Sequence, residues 1–158
     1  MRIRQYQQAD KSAVWALHKA ALHGTGADLE DGQWDADLFQ IEEVYLNNQG
    51  EFLVGEIENR IVAMGAIKKI TSTRSEIKRM RVHPDFQKRG LGQMMLTQLE
   101  ARAIALSYQV LQLDTTTLQV AAQQLYRKNG FVQLETIEIV KGLTVLFFKK
   151  DLLPLPDE

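Results

Sequence analysis

Residues 81–92, Arg-Val-His-Pro-Asp-Phe-Gln-Lys-Arg-Gly-Leu-Gly, combine two glycines, three permanent cations and a proline in one short run. That combination can bind an anion through main chain. Residues 76–82 read as an extended segment, since the residue before Pro84 is pushed out of the helical region. After the glycines, Leu91, Met95, Leu99, Ala103 and Leu106 recur at helical spacing among good helix formers. Gly90 and Gly92 therefore stand at a helix N-terminus. There the first N–H groups lack intrahelical partners and the macrodipole is positive, so a phosphate is bound if no Cβ blocks its approach.

Side chains at fixed offsets separate the glycine loops that do this. A nucleotide-triphosphate loop needs Lys-Ser or Lys-Thr after its last glycine, and Gln93-Met94 excludes it. A dinucleotide loop needs a third small residue where Met95 stands, yet Asp114 lies about where its ribose-binding acid belongs, so that reading stays open. A third pattern fits more of the chain. Gln87-Lys88-Arg89-Gly90-Leu91-Gly92 resembles the Arg/Gln-x-x-Gly-x-Gly/Ala signature of the GNAT superfamily of acetyl-CoA-dependent N-acetyltransferases, with Val82-His83-Pro84 in front of it. Residues 122–131, Ala-Gln-Gln-Leu-Tyr-Arg-Lys-Asn-Gly-Phe, resemble the second cofactor segment of that family. The order of elements agrees over nearly the whole chain, and residues 76–131 carry almost all the specificity.

The resemblance implies that Gln87, Lys88, Arg89, Gly90, Leu91, Gly92 and Gln93 hold the pyrophosphate of coenzyme A. It also implies main-chain bonds from Met80 and Val82 to the pantetheine arm, held where the sheet splays, with Arg81 between them. Gln119 stands where many members have Asn, seven residues before Tyr126; it keeps the amide and adds a methylene.

Acyl transfer to an amine needs a neutral amine, a polarised carbonyl and a proton for the departing thiolate. A phenol with a pKa near 10 stays protonated at neutral pH, and the resemblance gives Tyr126 the role of general acid. The alternative is a ring packed in the core. Glu76 takes the place where some members keep a carboxylate base, with a salt bridge to Lys78 as the plain alternative. A backbone N–H at Arg81 or Val82 is the expected oxyanion donor. With no Cys, and no Ser in Gly-x-Ser-x-Gly, no covalent acyl-enzyme is expected. Among the histidines, His83 is read as a cap, His18 as a member of the first helix, and His23 as a substrate-side candidate.

The elements that must position these groups follow from periodicity. Strands are expected at 2–6, 52–57, 61–70, 76–82, 110–115, 131–140 and 143–149, with helices after Asp10, within 28–48, after Gly90 and at 119–129. Turns fall at Asn59 and at Lys141-Gly142. The fold class is α/β: one GNAT-like domain over 1–150, a mixed, mostly antiparallel sheet of about seven strands flanked by about four helices, with a short tail at 151–158. At 158 residues one core is supported without staples.

A net charge of −1 argues against nucleic acid as partner, and no run is long and apolar enough for a bilayer. A cytoplasmic setting and no metal are expected. The basic cluster Lys78, Arg79, Arg81, Lys88 and Arg89 is read either as the complement of coenzyme A phosphates or as a charged strand edge. Asp28, Glu30, Asp31, Asp35 and Asp37 are read as a solvated loop or as attraction for a cationic amine. The acceptor, a small amine, an amino acid or a lysine side chain, is placed at residues 25–34, the first two helices and the closing hairpin. A homodimer stays open, as does a catalytically weak acetyl-CoA-binding sensor of the same fold.

Overall fold

The computed structural model describes residues 1–23 and 32–152. Its strands are β1 (Arg2–Gln5), β2 (Glu51–Ile57), β3 (Arg60–Lys69), β4 (Arg74–Val82), β5 (Val110–Thr116), β6 (Val132–Val140) and β7 (Leu143–Asp151), and its helices α1 (Lys11–Leu22), α2 (Leu91–Ala105) and α3 (Val120–Lys128). One sheet runs β1-β2-β3-β4-β5-β7-β6. Every neighbouring pair is antiparallel except β4 and β5. A parallel pair needs a long crossover, and α2 supplies it. The expected mixed, mostly antiparallel sheet is the one observed. The dinucleotide reading fails, because it requires a doubly wound parallel sheet.

Local chemistry sets the connections. Glu58 and Asn59 both take positive φ, at 51° and 64°, which closes the β2–β3 hairpin with the tight turn that matches strand twist. Lys141 and Gly142 do the same between β6 and β7. Residues 28–48 were expected to be partly helical. The described part holds a 3-10 stretch, Gly32–Phe39, and a π turn, Glu42–Leu46, instead of a regular α-helix. Asp10 stands at the N-cap of α1 as the residue before the expected helix, but its side chain accepts from the Gln7 N–H at 2.8 Å and pairs with Arg4, closing a preceding 3-10 turn. Strand β7 continues past the expected boundary, and Leu152 is buried with its N–H on Gln109 O. Residues 24–31, with the Gly24-Thr25-Gly26 stop and the acids Asp28, Glu30 and Asp31, and residues 153–158 lie outside the described residues. So does the side chain of Trp34.

Strand alternation sends side chains to two cores. On one face α1 covers Phe52, Val54, Met64 and Ala66; on the other, Met95, Leu96 and Leu99 of α2 cover Ile67 and Ile77. Strands β4 and β5 pair at only three positions, Arg74 with Val110, Ser75 with Leu111 and Glu76 with Gln112. Beyond Glu76, β4 stays on β3 and β5 stays on β7, so a wedge opens in the middle of the sheet. A β-bulge lies where it opens. Lys78 pairs Ala66 and Arg81 pairs Met64, which leaves Arg79 and Met80 opposite Gly65, with Arg79 at φ 60°. An extra residue bends its strand.

Candidate functional site

The wedge holds a cavity of about 390 Å³. Its walls are β4 residues 77–81, β5 residues 114–116, Gln119, Ala122 and Tyr126 around α3, and Glu138, Val140, Leu143, Val145 and Phe147 from the closing hairpin; Leu22 and Asp35 complete it. The His83 N–H donates to Val62 O at 2.8 Å, across β3. Since N–H groups alternate along a strand, the Val82 N–H turns toward the wedge and the Arg81 N–H toward β3. Of the two expected oxyanion donors, only Val82 therefore faces the opening.

The loop that ends at α2 lies beside the end of β4. Lys88 and Gly90 take positive φ, at 62° and 78°, separated by one residue. Such alternation turns successive N–H groups into a concave anion nest, which here runs into the N-terminus of a 15-residue helix. A Cβ on Gly90 would meet no atom within 4 Å, so its glycine answers the backbone conformation and not crowding. Gly92 differs. A Cβ there would lie 3.4 Å from Leu125 Cδ2, an ordinary contact between α2 and α3, so protein packing leaves room for one. Lys88, Arg89 and Gln87 are exposed, with Arg89 stacked 5.0 Å over the Phe86 ring and Gln87 Nε2 donating to Val82 O. Leu91 is buried at the first helical position. Gln93 and Asn129 exchange two amide hydrogen bonds, each 2.8 Å, which bind the start of α2 to the end of α3.

Tyr126 is 5% exposed, packed edge-on against Phe131 with centroids 5.8 Å apart, and it lines the cavity. Its hydroxyl has no protein hydrogen-bond partner among the described residues. Burial pushes its pKa up to about 12, against a lowering effect of Arg81, so the phenol is protonated throughout the physiological range. Gln119 sits at the N-cap of α3, where its Oε1 accepts from Thr115 Oγ1 at 2.9 Å and the Thr116 N–H at 3.1 Å. Its amide N–H groups are left to donate to a ligand.

Glu76 stands at the closed root of the wedge, at the last paired position of β4, and does not itself line the cavity. Burial raises its pKa; Lys78, with Nζ 3.6 Å from Oε1, lowers it, and Asp114 raises it. The salt bridge to Lys78 is thus present, and the raised basicity is what a general base at this place would need. Asp114, weighed in the sequence only as a dinucleotide ligand, is exposed on the cavity wall beside it.

Two charge clusters are rearranged relative to expectation. Strand β4 lies in the middle of the sheet and Lys78, Arg79 and Arg81 are half-buried along the wedge, so the reading of its cations as a solvated outer edge fails. Nor do those cations form one patch. Arg79 pairs with Asp35 and Asp37, Lys78 pairs with Glu76, and only Lys88 and Arg89 stay at the loop. Asp35 and Asp37 are correspondingly not solvated acids. Asp35 is 5% exposed and accepts from Arg79 at 3.3 Å, and Tyr45 donates to Asp37. His18 is fully buried with Nε2 2.9 Å from Asp35 Oδ1. Burial, helped by Arg81 and Arg79, keeps its ring neutral by lowering its pKa. Sequence reasoning missed this network. Its one visible trace was His18 standing four residues from both Val14 and Leu22, on the buried face of α1. His83, read as capping the end of the strand, caps instead the 3-10 turn Pro84–Phe86 that follows it, its ring accepting from the Asp85 N–H.

The model of the acetyltransferase (GNAT) family matches residues 12–131. N-acetylaspartate synthetase of Xenopus tropicalis is 28% identical over 112 residues, which are 68% of this chain and 41% of that protein. The chain thus spans well under half the length of this curated relative. A crystal structure of a GNAT-family acetyltransferase from Staphylococcus aureus Mu50 superposes with a TM-score of 0.86 at 19% identity, covering 96% of this chain and 99% of that one. The Salmonella typhimurium protein yncA, solved with its cofactor acetyl-CoA, gives a TM-score of 0.75 at 20% identity, over 100% of this chain and 97% of that one.

Proposed function

Because this chain belongs to the acetyltransferase (GNAT) family, we propose that it transfers the acetyl group of acetyl-CoA directly to a primary amine within a ternary complex. The acceptor is a small amine, an amino acid or a lysine side chain. The observation that carries the proposal is the wedge itself: an unpaired β4 edge and a buried tyrosine hydroxyl share one cavity, with an anion nest at the strand's end.

The residues present fit the cosubstrate. Loop residues 87–93 would hold its pyrophosphate through N–H groups, with Lys88 and Arg89 adding charge. Met80, Val82 and the Gln119 amide would hold the pantetheine arm as an added strand. When bound, acetyl-CoA supplies a thioester carbonyl and a thiolate leaving group. The Val82 N–H donates to the carbonyl oxygen as negative charge develops there. Glu76, its basicity raised by burial, takes the proton the amine loses as its nitrogen bonds to carbon, directly or through water. Tyr126 donates its hydroxyl hydrogen bond to the sulfur as the carbon–sulfur bond breaks. A phenol near 12 facing a thiol near 8.5 makes complete transfer uphill by about 5 kcal/mol. Tyr126 therefore acts first by hydrogen bonding, and full transfer waits until the amine's proton reaches the site.

The similarity to N-acetylaspartate synthetase supports amino acids among the acceptors. A cytoplasmic setting and a homodimer belong to the same proposal, tested by fractionation and light scattering. The decisive assay measures coenzyme A thiol release from acetyl-CoA with panels of amines, polyamines, amino acids and a lysine peptide. Amine-dependent release is expected. Acetyl-CoA binding without release by any amine would favour a sensor, and no binding would overturn both readings.

A further inference from the structure

Three cations project from the stretch of β4 that walls the cavity, and the protein answers only two of them. Lys78 has Glu76, and Arg79 has Asp35 and Asp37. Arg81 has no carboxylate within ion-pair distance among the described residues. Its Nη1 donates to Met80 O at 2.8 Å, while its Nε is buried without a partner. Burial and the like charge of Arg79 disfavour its protonated form. A half-buried guanidinium facing a cavity, with its Nε buried and unsatisfied, is completed by an anion from outside, and its planar fork suits a carboxylate.

The position of Arg81 selects which anion. Arg81 pairs Met64, whose side chain belongs to the α1 face of the sheet, while Met80 and Val82 pack into the opposite core under α2. The phosphate nest starts α2 and so lies on the other face, which separates the Arg81 side chain from the pyrophosphate. Arg81 and Tyr126 line the same cavity, so an anion held by Arg81 lies beside the proposed reaction centre. In the same cavity Asp114 and Glu138 are exposed acids without an ion-pair partner among the described residues. One cation and two acids around a small cavity complement a zwitterion.

We propose that the acceptor is a free α-amino acid, and that Arg81 binds the carboxylate next to the nitrogen that is acetylated. This rests on the acetyl-transfer reading above and narrows its acceptor. Peptide lysines and polyamines, which lack that carboxylate, are then poor substrates.

The test compares the common L-amino acids with their α-carboxamides as acceptors, in the wild type and in Arg81→Gln and Arg81→Lys, following thiol release and measuring acetyl-CoA affinity by calorimetry. In the wild type the best acid should exceed its amide in kcat/KM by a factor on the order of ten to a hundred, as for hydrogen bonds to a charged group. Arg81→Gln should bring that acid down to its amide with acetyl-CoA affinity unchanged, and Arg81→Lys should fall between, since it keeps the charge and loses the fork. Retained acetyl-CoA binding shows that the variants are folded. Three results would overturn the assignment: equal use of acids and amides by the wild type, an equal loss on both in Arg81→Gln, or a matching loss of acetyl-CoA affinity. Turnover of polyamines or lysine peptides but of no amino acid would sink the acceptor class alone. No turnover with any amine would remove the underlying reading as well.

Discussion

Single side chains carry the sharpest consequences. Tyr126→Phe keeps the ring packing against Phe131 and Phe148 and removes only the hydroxyl. It should lower kcat about a hundredfold with acetyl-CoA affinity nearly unchanged, read by steady-state kinetics and calorimetry. The proposed base Glu76 would act when ionised, and burial raises its pKa, so kcat/KM should climb with pH through a value above the usual carboxylate range. In Glu76→Gln that limb should disappear. The same substitution should also stabilise the protein at neutral pH. A folded-state pKa above the unfolded one means that the fold opposes ionisation, so stability declines as pH rises through the interval between them. Thermal melts at pH 4 and pH 7.5 should therefore show a gain for Glu76→Gln only at the higher pH.

Among the elements, the bulge in β4 concentrates strain and charge at Arg79. Replacing it removes the guanidinium from Asp35 and Asp37 and leaves them His18, Lys19 and Tyr45, a loss of up to about 3–5 kcal/mol by comparison with a buried pair broken outright. Glycine would at least keep the left-handed backbone at ease, so Arg79→Ala should be worse than Arg79→Gly by about 1–2 kcal/mol in urea denaturation. Equal losses would mean that the left-handed backbone costs nothing there. None of this was legible in the sequence, because residues 35 and 79 lie 44 positions apart and nothing in the intervening pattern links them. What could be read was local. The Gly90 helix start, the hairpin at Asn59 and the strand ending before Pro84 each rest on a few adjacent residues. The splay was expected only through family resemblance, since its cause, three paired positions followed by a bulge, is a property of two strands together.

At the scale of the whole molecule, cosubstrate and protons both act on the folding equilibrium. Saturation with acetyl-CoA at about a hundredfold over its Kd adds about 2.7 kcal/mol. For a domain of this size that raises Tm by roughly 5–10 °C, and NAD should give no shift. Acid works in the opposite direction. His18 is kept neutral in the fold by burial, so its pKa is lower folded than unfolded, and stability falls as pH drops from about 6.5 through the folded value. His18→Gln should flatten that part of a urea-midpoint profile measured from pH 7 to pH 4. The Gln93–Asn129 amide pair ties the start of α2 to the end of α3, and thus the loop before Gly92 to the helix that bears Tyr126. Each amide is also fastened to its own helix, Gln93 Nε2 by Thr97 Oγ1 and Asn129 Nδ2 by Leu125 O, so the clasp passes a displacement of one helix end on to the other.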